Sequence, residues 1–205
     1  MRITVHRLAA AAASLAVLCL TACVATPSVA PDAAPPGGYA LDPSHASLIW
    51  RVSHGEGLSI YTARFDAFSA TLDFDPANPA AARLDVTIDP ASVSTGDALF
   101  DDQVARVVFD AADHPEIRFV STAVEQTEGT SATVTGDLTL KGVTLPLTLA
   151  VTYNGGAYDP LRGADVIGFS ATGRVDRSLW GADAYVNFGV APEVDLLIEA
   201  EFLKQ

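Results

Sequence analysis

From residue 39 onward, apolar and polar side chains alternate along the chain with a period of two, the pattern of strands with one dry face and one wet face. Residues 83–89 show it without exception: Leu84, Val86 and Ile88 alternate with Arg83, Asp85, Thr87 and Asp89. In residues 133–140, Val134, Gly136, Leu138 and Leu140 share one face, and in residues 143–153, Val143, Leu145, Leu147, Leu149 and Val151 do the same. Lys141-Gly142 stands between them as a two-residue hairpin turn. Pairing Leu140 with Val143 sets Leu138 opposite Leu145 and Val134 opposite Leu149, so the turn and the apolar pattern demand one register. Pro146 falls on the outward face and lacks an amide proton, which predicts an edge or a locally unpaired position.

The same pattern predicts strands over residues 47–54, 63–74, 116–125, 165–177 and 194–202. Apolar parity changes between Phe65 and Phe68, which predicts a β-bulge near Asp66-Ala67. Helical spacing occurs only over residues 97–108, with Leu99, Phe100, Val104 and Val107 following a Thr-Gly-Asp start. Antiparallel strands with one apolar face form either a sandwich or a closed ring of about eight. Their length, and Gly136, Gly168 and Gly173 within them, where strongly bent strands tolerate a missing side chain, favour an all-β antiparallel barrel with one short helix capping an end.

Ahead of the strands the chain changes character twice. Arg2 and Arg7, an apolar run from Leu8 to Leu20, and then Leu20-Thr21-Ala22-Cys23 read as a bacterial secretory leader ending in a lipobox. The expected division is therefore a lipoprotein signal peptide over 1–22, with Cys23 taking the acyl chains, a tether over 23–38, and one barrel domain over 39–205. The tether reading rests on Ala and Pro enrichment, the closing Gly37-Gly38 and the lack of apolar periodicity. Acyl chains on Cys23 would hold the protein at the periplasmic side of a membrane. Val24, instead of aspartate, after Cys23 points to the outer one.

The chain has 205 residues, 12 Lys and Arg against 25 Asp and Glu, and two cysteines. Cys19 lies in the leader and Cys23 carries the lipid, so the folded domain has no internal disulfide and relies on its core. Beyond the leader ten basic residues face 25 acidic ones, a net charge of −15, which disfavours nucleic acid and anionic headgroups. His45, His54 and His114 form neither HxH nor HExxH, so no metal site is expected. No Gly-x-Ser-x-Gly elbow is present, and the expectation is a binding protein without cofactor, not an enzyme. Asp101-Asp102 reads as a solvated helix face. His45, in a turn after Asp42-Pro43, reads as structural. His54 is in step with Leu48, Trp50 and Val52 and so points to the apolar face, either toward a ligand or as a hydrogen-bonded core histidine.

Several stretches, taken in order, resemble the YceI family. They are Tyr39-Ala40-Leu41-Asp42-Pro43-Ser44-His45, Trp50-Arg51-Val52-Ser53-His54, the run from Phe65 to Asp75, Ile88-Asp89-Pro90-Ala91-Ser92-Val93-Ser94-Thr95, and Phe109-Asp110 with His114-Pro115 and Phe119. Gly136-Asp137-Leu138-Thr139-Leu140-Lys141-Gly142-Val143-Thr144 follows, then Gly168-Phe169 and Asp176-Arg177-Ser178 through Gly181. The resemblance implies a lipocalin-like barrel that binds a polyisoprenoid lipid in its lumen. The inward-facing residues marked out for that role are Trp50, Val52, His54, Phe65, Phe68, Phe119, Leu138, Leu147, Phe169 and Phe202. Where the family carries Arg-Asp-x-His-Leu, this chain has Phe100-Asp101-Asp102-Gln103-Val104, which leaves that end without its basic residues and suits a neutral ligand. The expected partner is an isoprenoid-like lipid or a quinone, and a homodimer stays open. Two other readings compete: a stress-protection or interaction module with a solid core, and a quinone-binding accessory of a membrane cytochrome.

Overall fold

The computed structural model describes residues 25–205, so the expected leader and Cys23 lie outside the described residues. The strands are β1 (Gly37–His54), β2 (Ser59–Phe65), β3 (Phe68–Phe74), β4 (Arg83–Ile88), β5 (Val93–Ser94), β6 (Ile117–Gln126), β7 (Ser131–Leu140), β8 (Val143–Asp159), β9 (Ala164–Asp176) and β10 (Val190–Lys204). One helix, α1 (Ala98–Val107), starts on Asp97, whose carboxylate accepts from the Leu99 amide at 3.0 Å.

All pairings are antiparallel. The order β1-β3-β4-β6-β7-β8-β9-β10 returns to β1 and closes an eight-strand barrel. β1 is long enough to lie along β10 on one edge while β3 and then β2 share its other edge. The parity change after Phe65 is a complete break between β2 and β3. It is stitched by Ser92: the Asp66 amide donates to the Ser92 carbonyl, and the Ala67 amide to Ser92 Oγ, both at 3.0 Å.

The expected hairpin register holds residue for residue, Leu140 with Val143, Leu138 with Leu145 and Val134 with Leu149. Lys141 and Gly142 both have positive φ, 49° and 75°, as a tight hairpin turn requires. Pro146 lies opposite Asp137, on the part of β8 beyond its last pair with β9, Leu149–Gly173, so its missing donor breaks no ladder bond.

Three expectations differ from what folds. Residues 28–36, read as free tether, lie on the barrel: Ser28 bridges to Gly156 through two amide–carbonyl bonds of 3.0 and 2.8 Å, and Ala34 is buried with Tyr39, Phe74 and Phe202. This strap can approach because β8 offers two glycines there; a Cβ on Gly155 would sit 2.9 Å from the Ser28 carbonyl, and one on Gly156 2.9 Å from Ala34. On α1 the inward face is Phe100, Val104 and Val108, while Leu99 is 83% exposed. Asp101 is not a solvated face either, since it accepts from the Thr95 amide at 2.6 Å and ties the helix to the end of β5; Asp102 is exposed.

The turn at Asp42-Pro43-Ser44-His45 is an irregularity within β1, between its Leu41–Phe202 and Ala46–Ala200 pairs. Asp42 Oδ1 accepts from the Ser44 amide at 3.0 Å, and Oδ2 lies 2.8 Å from His45 Nδ1. Arg162 donates to Asp42 at 3.0 Å, Asp159 at 2.7 Å and Glu201 at 2.6 Å, joining β1, the β8–β9 turn and β10. His45 is structural, as expected. Burial works against the charge on Asp42, but the bonds from His45, Arg162 and Ser44 outweigh it and hold its carboxyl below the usual range; the Arg162 bond does the same for Asp159.

A carboxyl held low in the fold stabilises it above the unfolded-state value and loses that contribution as pH falls through the folded value. Arg162→Met should therefore melt about 3 °C below the parent at pH 7, with the gap closing below about pH 4, in thermal melts across that range. An equal gap at pH 7 and pH 3 would show that the network contributes no linked stability.

Candidate functional site

The inward faces of the strands do not meet in the middle. They enclose a cavity of about 700 Å³ running from the α1 end, with Phe100, Tyr185 and Phe188, to the strap end, with Val29, Pro76 and Tyr153. That volume falls within the range of ligand-binding pockets. Its wall is built by the period-two pattern: Leu84, Val86 and Ile88 on β4, Val134 and Leu138 on β7, Leu147, Leu149 and Val151 on β8.

All ten residues marked out from the sequence line this cavity: Trp50, Val52, His54, Phe65, Phe68, Phe119, Leu138, Leu147, Phe169 and Phe202. They are not at one level. Phe65, Phe119, Leu138 and Leu147 belong to the buried cluster toward α1, with Trp50 and Phe68 packed on it, whereas Phe202 and Phe169 belong to the cluster at the strap end. His54 lies at the rim and is exposed, so it is not a core histidine. Ser121 and Ala171, the small inward residues beside Phe119 and Phe169, also line the space, and Ser121 Oγ accepts from the Leu84 amide at 2.8 Å.

Sequence reasoning missed several wall residues. Tyr61 is in phase with Ala63 and Phe65 just ahead of the assigned strand, so a longer assignment would have found it, while Tyr153 closes the assigned stretch in phase with Leu149 and Val151 and was legible there. Phe109, Tyr185 and Phe188 come from segments without periodicity and left no such signal. The aromatic rings make three groups: Trp50, Tyr61 and Phe100 in a chain with centroids 6.3 and 5.8 Å apart, Phe65 with Phe109 at 5.3 Å, and Phe74, Tyr153 and Phe169 mutually 5.3 Å apart with Phe202 6.0 Å from Phe169.

Polar groups in the wall are few. Arg177 is its one permanently charged residue, and its guanidinium donates to the carbonyls of Ala182, Ala184, Val190 and Ala191, pinning the segment that closes the α1 end. Burial pulls its pKa down, partly offset by Asp183 and Asp176. Trp180 Nε1 donates to the Leu138 carbonyl at 3.0 Å. Two buried polar atoms, Trp50 Nε1 and Tyr153 Oη, have no hydrogen-bond partner among the described residues. Burial also pushes the Tyr153 phenol up, so it stays neutral at physiological pH.

Among known proteins, residues 39–202 match a family profile described as a YceI-like domain. The chain is 37% identical over 162 residues to a UPF0312 protein of Pseudomonas putida strain W619, covering 78% of this chain and 82% of that one. The crystal structure of BcnA from Burkholderia cenocepacia superposes with a TM-score of 0.68 at 28% identity, covering 78% of this chain and 98% of that one. A polyisoprenoid binding domain from Saccharophagus degradans superposes at 0.63 over 82% of this chain and 98% of its own, and at 16% identity it shows shared fold alone.

Tyr153→Phe removes a buried hydroxyl that has no partner, so it should raise the melting temperature of the purified protein by about 2 °C, while Trp180→Phe, which breaks a made bond, should lower it. Scanning calorimetry of both variants checks the contrast; a Tyr153→Phe protein that melts well below the parent would mean the hydroxyl is bonded.

Proposed function

We propose that this chain, which belongs to the YceI family, holds an isoprenoid-like lipid in the lumen of its barrel and carries or sequesters it. The observation that carries the reading is the open, apolar cavity of about 700 Å³ running through the barrel. An oily chain entering it leaves water at a gain of about 0.8 kcal/mol per CH₂, with no polar contact needed. That a polyisoprenoid binding domain from Saccharophagus degradans shares the fold is consistent with such a guest. A solid-core interaction module loses its support, because the protein's own side chains leave the interior unfilled. Binding of this kind uses no cofactor and makes the protein a carrier, not an enzyme.

The leader-like residues 1–22 and the lipobox ending in Cys23 support a lipid-anchored protein on the periplasmic side of the envelope, at the outer membrane. From such an anchor a lipid could be taken from or returned to the adjacent bilayer without an energy source.

Solvent extraction of the purified protein followed by mass spectrometry should yield a prenyl lipid. Ala171→Trp, which fills the lumen from a small inward position, should cut its recovery at least about tenfold while the protein stays folded. A parent protein that yields no lipid and takes up no prenyl probe would end the carrier reading. For the anchor, radiolabelled palmitate should enter the parent in a bacterial host and fail to enter Cys23→Ala; equal labelling of the two would remove Cys23 from the account.

A further inference from the structure

Resting on the lipid-anchor and lipid-binding readings, we infer that the strap end of the barrel stands on the bilayer that holds Cys23, and that the guest passes between bilayer and lumen through the mouth at that end. The strap carries this. Ser28 is bridged to Gly156 by two backbone hydrogen bonds and Ala34 is buried, so residues 28–36 lie on the barrel wall. Only five residue steps separate Cys23 from Ser28, about 18 Å when fully extended, whereas a tether free up to Tyr39 would span about 55 Å. Val143, at the α1 end of β8, lies thirteen residues from Gly156 along the strand. In a tilted barrel strand that separation is roughly 33 Å along the axis. The leash is little more than half that distance, so the barrel cannot stand on its α1 end.

The surface that the leash presents to the bilayer suits it. Leu161, in the β8–β9 turn, is 84% exposed, and Val29 and Tyr158 are more than half exposed. Side chains of this kind can sink into the headgroup boundary. Val29 also lines the cavity, and the wall beside it includes the exposed Gln126 and Gly129, so the lumen meets the surface there. Glu125 and Glu128, exposed next to that mouth, suit a zwitterionic surface and not an anionic one. The α1 end exposes more apolar surface, at Leu58, Leu99 and Phe188, and would serve as well if the strap were free. The bridge at Ser28 decides against it.

The test uses the mature acylated chain, its acyl groups verified by mass spectrometry, in vesicles of phosphatidylcholine and phosphatidylethanolamine carrying a rhodamine-headgroup lipid. Acylation blocks Cys23, so Glu128→Cys at the strap end or Asp102→Cys on α1 takes the sole fluorescein label. Energy transfer to rhodamine should be at least about threefold stronger from Glu128→Cys. Inserting about sixteen Gly and Ser residues between Val24 and Ala25, outside the barrel, should bring the two labels within about 1.5-fold. With a bulky maleimide adduct instead of fluorescein, Gln126→Cys should slow uptake of a prenyl-chain dye from the vesicle at least about fivefold more than Ser59→Cys at the α1 mouth. Equal transfer from the two labels, or stronger transfer from Asp102→Cys, overturns the inference and leaves both underlying readings intact. A Glu128→Cys preference that survives the insertion overturns the leash, and a longer delay from Ser59→Cys overturns the route of the guest. A chain without acyl groups falls with the anchor reading, and a parent protein that takes up no dye falls with the lipid-binding reading.

Discussion

Hydrogen bonds between β1 and β10, from the Tyr39–Lys204 pair to the His54–Val190 pair, leave the eight-strand ring without an open edge. A ring of this size encloses an interior that side chains can only just fill, so the residues chosen for the inward face decide whether it is a core or a container. Here the inward positions include Ser121, Gly136, Ala171, Gly173 and Ala200 among larger apolar residues, and the ring remains hollow. Closure also explains how the domain dispenses with disulfides: the strands satisfy one another's backbone groups, and segments at the two ends are held through specific polar contacts.

Those contacts divide by end. At the strap end Arg162 gathers Asp42, Asp159 and Glu201 and locks the irregular stretch of β1 against the β8–β9 turn. At the α1 end Arg177 gathers carbonyl oxygens and Asp101 gathers Thr95, so one cation and one carboxylate organise loops that have no ladder of their own. Both arginines are consumed by the fold, which is why the lumen presents so little charge to a guest.

The parts of the fold legible in the sequence were those governed by local repetition. Strict alternation located β4, β7, β8 and β10, and the Lys141-Gly142 turn added a second constraint that settled the β7–β8 register. The same periodicity placed ten residues on the cavity wall, because facing inward and lining the lumen are one property in a hollow barrel. What could not be read was set by distant partners. Nothing near Ser28 or Ala34 announces that they will find Gly155-Gly156 more than a hundred residues later, and nothing near Leu99 shows that α1 turns that side to solvent. Nor does any local pattern reveal that Trp180 acquires a hydrogen-bond partner while Trp50 does not, a distinction that arises only when the fold brings the Leu138 carbonyl of β7 to the Trp180 indole.

Gly136 accepts the ring of Phe119 from the neighbouring strand so closely that a Cβ there would stand 2.4 Å from its tip and 2.5 Å from the Val120 carbonyl oxygen. Gly173 accommodates Leu149 in the same manner, at 2.5 Å. At Gly136 the close atoms include main chain that cannot yield, so this position admits no side chain, whereas at Gly173 the close atom is the tip of Leu149 and a side chain there requires Leu149 to move. The bore at the Gly136 level is thereby set by main chain instead of by interchangeable side groups, and adaptation to a narrower guest has to proceed elsewhere along the wall.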